Sequence, residues 1–126
     1  SSDLEALAAC DRFLKLYPDH PYTDYVYYLR GLIYFNSGQG LTTRFVPRDS
    51  SQRDPGAALQ SFRDFNELVE RFPDSKYVED ARLRMVHLRN LLAQHEVNVA
   101  HYYMRRGAYV AAANRGRYVI ENYPTR

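Results

Sequence analysis

The sequence of 126 residues contains one cysteine, two lysines and a formal net charge of only +2. A single cysteine cannot form an internal disulfide, so cysteine usage does not fix the compartment of the protein. The net charge is too small to indicate nucleic acid as a partner. No run of about 18 uncharged apolar residues occurs, so the sequence predicts no membrane-spanning helix.

Groupings of residues that are typical of catalysis are also missing. The histidines at 87, 95 and 101 are separated by eight and six residues, which does not place three ligands on one helical face as a metal site requires. No serine lies in a nucleophile elbow, and no glycine-rich phosphate loop precedes a helix. Cys10 lies on an apolar helical stripe and is predicted to be buried. The sequence therefore predicts no enzyme, no cofactor and no metal site.

The residues that are abundant point to binding. The chain has fifteen arginines, 12 tyrosines and 6 phenylalanines, and arginine and aromatic residues are enriched where proteins contact partners. Codon bias in a genome rich in G and C would also raise arginine over lysine, and this explanation stays open.

A repeated phrase is the strongest structural signal. Residues 18–24, PDHPYTD, return as PDSKYVE at 73–79, and Tyr123-Pro124-Thr125 begins the phrase again. Each copy follows an amphipathic run that ends in an aromatic residue, which is typical of a helix stopped by proline before the next helix starts. The pattern predicts an all-α, tetratricopeptide-type helical repeat array, an α-solenoid of antiparallel helix pairs, whose surface binds partners.

The positions of the proline and glycine residues between the predicted helices indicate one domain over residues 1–126. It comprises a half repeat at 3–18, a repeat at 23–73 that contains an inserted loop at 39–54, and a long helix plus a final helix at 76–124. Apolar residues from Val78 to Tyr102 recur at spacings of three and four, which predicts a continuous helix to Arg106 with His95 partly buried. A coiled coil would show the same spacing, and we prefer one long helix that serves two packing layers.

The last 34 residues, 93–126, match the tetratricopeptide pattern. Ala100 and Ala112 are its small residues, Gly107 stands at its turn, and Pro124 ends it. We therefore expect the long helix to stop at Gly107 and a final helix to run from about Tyr109 to Asn122.

Charge is distributed unevenly along the chain. Between Asn98 and Ile120 no acidic residue balances four arginines, which are Arg105, Arg106, Arg115 and Arg117. Arg105 and Arg106 lie at the C-terminal end of the predicted long helix, where positive charges interact favourably with the helix dipole. Arg115 and Arg117 have no such explanation and are candidates for contact with an acidic partner, with plain solvation as the alternative.

The inserted loop carries apolar residues between arginines. We expect it to face a partner, because exposed apolar residues without a use are costly. The alternative is that these residues fold back and cover the array. The candidate residues are Leu41, Arg44, Phe45, Val46 and Arg48.

Four segments, at 20–32, 53–55, 61–69 and 99–111 with Asn114-Arg115, closely resemble the BamD family of tetratricopeptide lipoproteins from the bacterial β-barrel assembly (BAM) machinery. The resemblance covers nearly the whole chain and corresponds to the middle repeats of the family. It implies a non-catalytic scaffold at the periplasmic face of the outer membrane. The family's lipid anchor, its only link to the membrane, has no counterpart in these residues.

The resemblance also implies partners. These are a POTRA domain of BamA, other BAM subunits and unfolded outer-membrane protein segments, with no nucleic acid. The BamA-contacting region of the family matches Arg106, Tyr109, Asn114 and Arg115. Two other functions stay open, a periplasmic repeat scaffold of the cell-envelope division machinery and an RNA-binding helical repeat protein.

Overall fold

The computed structural model describes residues 2–37 and 54–123 of the chain. Within these ranges the protein consists of four helices, which are α1 (Ser2–Leu16), α2 (Thr23–Ser37), α3 (Gly56–Arg71) and α4 (Val78–Asn122). The helices pack in chain order, α1 on α2, α2 on α3, and α3 on α4. This succession confirms the predicted all-α helical repeat array.

The repeated phrase folds into the same turn twice. In the first copy the amide of Thr23 donates to the carbonyl of His20 at 3.0 Å, and the amide of Tyr22 donates to the His20 side chain at 3.0 Å. In the second copy Val78 and Tyr77 make the equivalent bonds to the carbonyl and the hydroxyl of Ser75, each at 3.2 Å. The turn therefore depends on a side-chain acceptor three residues before the first residue of the helix.

The core lies between α2, α3 and α4. Phe65 and Leu68 of α3 are fully buried, as are Ala81 and Leu88 of α4. Tyrosine, leucine and phenylalanine side chains of α2 pack against this cluster. Because no helix buries its own apolar face, each layer of the array depends on the next.

An ion-pair network joins the first three helices. The guanidinium of Arg30 in α2 contacts both carboxylate oxygens of Asp64 in α3, at 2.7 and 3.0 Å, and Asp11 in α1 at 2.8 Å. Asp64 is only 2% exposed. Burial raises the pKa of Asp64, while the Arg30 guanidinium acts in the opposite direction. The bidentate contact compensates the buried carboxylate and fixes how the three helices align.

The α4 helix is 45 residues long, or about 67 Å at 1.5 Å per residue. The predicted continuity from Val78 to Arg106 is confirmed, and His95 is half-buried as expected. The predicted stop at Gly107 is wrong, because the helix continues to Asn122. Long as it is, α4 is not apolar enough to cross a membrane, and neither is any other described helix.

The course of α4 through Gly107 has a local reason. A Cβ built on Gly107 would meet nothing within 4 Å, so no tertiary contact imposes a turn there. The alanines at 108 and 111–113 are strong helix formers. Helical propensity then exceeds the cost of one glycine, which is about 1 kcal/mol relative to alanine.

Cys10 is 4% exposed on α1, which confirms its predicted burial. Burial raises the pKa of its thiol, an effect that the nearby Arg30 partly offsets. The thiol is therefore protonated and shielded at neutral pH, and both properties oppose nucleophilic chemistry.

Candidate partner-docking site

The candidate surface is the C-terminal part of α4, at residues 103–123, which we call the arm. Every residue of the arm is exposed. The last fully buried residue of α4 is Leu88, so the arm lies beyond the packed layers of the array. Its side chains are available to a partner.

The face of α4 that packs against the core continues into the arm. This inner stripe begins with the buried residues Val78, Ala81 and Leu88 and keeps spacings of three and four. The same spacing passes through Tyr102 and leads to Arg106, Tyr109, Ala113 and Ile120. A face that buries apolar residues against helices in the array therefore projects, without a neighbour in the described structure, beyond its edge.

A shallow groove of about 430 Å³ lies on this part of the helix. Its walls combine two guanidinium groups with apolar and aromatic surface. One of its tyrosines, Tyr109, is 74% exposed. Such a site suits a partner that presents a carboxylate beside apolar side chains, because a guanidinium forms two parallel hydrogen bonds to a carboxylate. The groove is lined by Tyr102, Arg105, Arg106, Tyr109 and Val110.

The structure brings together two of the four residues expected at the docking site. Arg106 and Tyr109 are one turn apart and line the same groove. Arg115 follows Arg106 by nine residues, or two and a half helical turns, so the two side chains leave opposite sides of the helix. Its guanidinium lies 5.6 Å from the ring centroid of Tyr118. Asn114 lies between these two sides.

The electrostatic field of the arm is positive. Its four arginines face no acid before Glu121. The segment from Ala57 to Ala81, which includes α3, carries six acidic and three basic residues. An acidic partner is therefore attracted toward the arm and repelled from that part of the array.

The other predicted partner surface, the loop residues Leu41, Arg44, Phe45, Val46 and Arg48, lies outside the described residues. No group of three or more metal-ligating side chains occurs within residues 2–37 and 54–123.

The docking site predicted from the sequence did not include three residues that line the groove, Tyr102, Arg105 and Val110. The sequence contained a signal that connects Tyr102 with Arg106, because both continue the spacing of the core residues of α4. The assumed turn at Gly107 hid this relationship, since it assigned residues on its two sides to different helices.

Comparison with known proteins places the chain in a family. The family model for YfiO, described as an outer membrane lipoprotein, matches residues 2–126. The chain is 51% identical over 119 residues to the outer membrane protein assembly factor BamD of Neisseria meningitidis serogroup B, which covers 94% of the chain and 45% of that protein.

More distant proteins of the same name extend this similarity. Identity is 42% over 120 residues with the BamD of Xylella fastidiosa, covering 95% of the chain and 41% of the relative. It is 38% over 118 residues with that of Vibrio cholerae, covering 94% and 49%. The chain thus spans less than half the length of these curated relatives.

Proposed function

The chain belongs to the YfiO family of outer membrane lipoproteins, and on that premise we propose that it is part of a non-catalytic scaffold subunit of the outer-membrane protein assembly complex. Its relatives are named outer membrane protein assembly factors. The scaffold acts at the periplasmic face of the outer membrane. It docks a POTRA domain of BamA and helps present unfolded outer-membrane proteins for insertion.

The groove on the arm is the observation that carries this proposal. Arg106 and Tyr109 provide a cation and an aromatic ring next to each other, on an exposed face that no described helix covers. Arginine and tyrosine are the residue types that dominate binding energy at protein interfaces. We place these two residues at the centre of the contact with BamA.

Asn114 and Arg115 belong to the edge of the proposed contact. Because Arg115 faces away from Arg106 and lies over the ring of Tyr118, one flat partner surface does not engage both arginines on a straight helix. A partner that also reaches Arg115 must curve around the arm. The relative effects of substituting the two arginines therefore report the shape of the contact.

The packing of the array supports the scaffold role. The α1–α3 body is held by the Arg30 network and by a core shared between layers. It gives the arm a fixed base, so a partner bound to the groove is held at a fixed position relative to the body. The body can then hold a substrate segment beside BamA without taking part in any reaction.

Titration with purified BamA POTRA domains tests the proposal. Arg106→Ala should weaken binding about tenfold or more, since truncating one partner of a buried charge pair costs about 2–5 kcal/mol and 1.4 kcal/mol corresponds to a decade. Tyr109→Ala should have an effect of similar size, because tyrosines at the centre of an interface typically cost about 2 kcal/mol or more when truncated. Arg115→Ala should have a smaller effect. Arg63→Ala, at an exposed position on α3, is the matched control and should bind normally.

Two results would reject the assignment. One is unchanged affinity of the Arg106 and Tyr109 variants while their helix content is retained. The other is a loss of affinity on substitution of Arg63, which would place the contact on the body of the array.

A further inference from the structure

The repeated phrase makes α2 equivalent, residue by residue, to the first four turns of α4. Position 18 corresponds to position 73, and the same shift of 55 residues relates every position of α2 to one of α4. Buried positions agree under this shift. Thr23 and Val26 are buried in α2, and their counterparts Val78 and Ala81 are buried in α4. The equivalence therefore holds in the structure as well as in the sequence.

The face on which the following helix packs differs between the two repeats. In α2 this face holds Tyr27, Tyr28 and Gly31, which are half-buried or buried because α3 lies against them. The counterparts in α4, which we call the open face, are Arg82, Leu83 and Val86. All three are exposed, Leu83 at 69% and Val86 at 59%. The open face thus has the place of a helix-packing surface and, within the described residues, no helix on it.

A groove of about 480 Å³ adjoins the open face. In the first repeat the end of α3 fills the equivalent place, since the Arg71 guanidinium donates to the Pro18 carbonyl at 3.1 Å. The Ser75 hydroxyl, just after α3, donates to Asp24 at 2.7 Å. Within the described residues the chain does not return to fill the groove, because α4 continues as one helix to Asn122. The groove is lined by Pro73, Ser75, Val78, Glu79, Arg82 and Leu83.

We propose that a helix of a second protein docks on the open face, antiparallel to α4, and places its C-terminal end in this groove, as α3 does on α2. A second copy of this chain cannot supply the helix, because its own α3 is buried between α2 and α4. Val86 precedes the arm by 17 residues, or about 25 Å along the helix. The proposed interface is therefore separate from the docking groove on the arm.

Val86 determines the size of one partner residue. In the first repeat Phe65 of α3 fills the space that Gly31 leaves, and a Cβ at position 31 would lie 2.5 Å from the Phe65 ring. Val86 carries a branched side chain at the equivalent place, so a large residue opposite it would be overpacked. The partner helix should therefore carry alanine or glycine where α3 carries Phe65.

Arg82 determines the charge of another partner residue. Its counterpart Tyr27 accepts a hydrogen bond from the Arg71 guanidinium at 3.1 Å. Two arginines would repel each other there, whereas a carboxylate in the place of Arg71 can pair with Arg82. The exposed Glu79 corresponds to Asp24, so a hydroxyl donor should follow the partner helix as Ser75 follows α3. The partner is thus an amphipathic helix with a small residue at the contact and an acid near its C-terminal end.

Two helical peptides test the fit. Both copy residues 56–77 with Arg71→Glu, and they differ only in carrying alanine or phenylalanine at position 65. Asn66→Lys, joined to Glu70 by a side-chain lactam, keeps both peptides helical, since these two positions are one turn apart and exposed on α3. In an anisotropy titration the protein should bind the alanine peptide about tenfold or more tighter than the phenylalanine peptide.

Val86→Gly should reverse this preference, because it restores the space that Gly31 leaves in the first repeat. Val110→Gly, at a 53% exposed valine in the arm, is the matched control and should leave the preference unchanged. Arg82→Glu should weaken the binding of both peptides, whereas Arg63→Glu, at an exposed position on α3, should not. No binding of the alanine peptide, or the same preference in the protein and in Val86→Gly, would overturn the proposal.

Crosslinking shows which polypeptide supplies the helix, and this step alone rests on the proposed function. A photoreactive phenylalanine analogue replaces Leu83, and the protein is irradiated within the purified assembly complex. Mass spectrometry should find the adduct in a helix of another subunit, next to a small residue. An adduct only within the same polypeptide, or no adduct in a complex that forms normally, would overturn the assignment to a second protein.

Discussion

Gly31 of α2 and Phe65 of α3 make a contact that leaves no room for a side chain at position 31. A Cβ placed on Gly31 would lie 2.5 Å from Cε1 of Phe65. Phe65 is fully buried, so it has no solvent side to move toward. The hydroxyl of Ser61 donates to the Gly31 carbonyl at 2.8 Å and holds the two backbones close together.

Gly31→Ala should therefore destabilise the protein by about 1–3 kcal/mol, the usual range for overpacking a dense core. Urea unfolding measures this loss. Gly116→Ala is the matched control, because a Cβ there meets nothing within 4 Å. It should be neutral or stabilising, by up to about 1 kcal/mol from helix propensity. Equal effects of the two substitutions would contradict the close contact.

Arg30→Ala should cost about 3–5 kcal/mol, because it leaves the buried carboxylate of Asp64 without its charge partner. Asp11→Ala removes the other partner of Arg30. The Asp11 side chain is 59% exposed. That substitution should cost less than about 1 kcal/mol, as exposed ion pairs do. Chemical denaturation of both variants distinguishes the buried contact from the exposed one. A larger loss for Asp11→Ala would reverse this ranking.

The bond from the Tyr28 hydroxyl to Asp80, at 2.5 Å, predicts a pH dependence. The Tyr28 hydroxyl, together with Arg84, lowers the pKa of Asp80, so its contribution to stability is present above about pH 4 and is lost as pH falls through the lowered value. Burial, and then the bond to Asp80, raise the pKa of Tyr28. That contribution is complete below about pH 10 and is lost as pH rises through the raised value.

Tyr28→Phe should accordingly destabilise most between about pH 4 and pH 10 and progressively less outside that window. Unfolding in urea at a series of pH values measures the difference from the wild type. Tyr25→Phe, at a 40% exposed ring that also contacts Tyr77, is the control. A difference between Tyr28→Phe and wild type that does not vary with pH would show that the bond to Asp80 contributes nothing.

Cys10 should react with a thiol reagent only when α1 opens from the array, because the side chain is 4% exposed and burial raises its pKa. Labelling should be much slower than that of Ala9→Cys in a Cys10→Ala background, since Ala9 is exposed. Mild denaturant should remove the difference. Labelling of native Cys10 as fast as the cysteine at position 9 would show that α1 is not packed as described.

Local features of the fold could be read from the sequence. The phrase at 18–24 and 73–79 located two turns, and the hydrogen bonds of Thr23 and Val78 show why it repeats. The helical phase located Cys10 and the first seven turns of α4. These features depend on residues that are near one another in the chain.

Other features depend on residues that are distant in sequence. Asp11, Arg30 and Asp64 meet only because three helices stack, and a single sequence does not state which charges meet. Gly107 was misread because glycine occurs both in turns and within helices. The decision depends on whether a neighbouring helix packs there, and for the arm the spacing of the inner stripe was the better guide.

Hydrogen exchange with and without purified BamA POTRA domains tests the central claim most directly, because it reports where the partner binds without any substitution. Amides of the arm should exchange readily in the free protein, since no described helix packs on it, and should be protected in the complex, most strongly around Arg106 and Tyr109. Amides of α3 should be unaffected. Protection of α1–α3 with an unchanged arm would contradict the account.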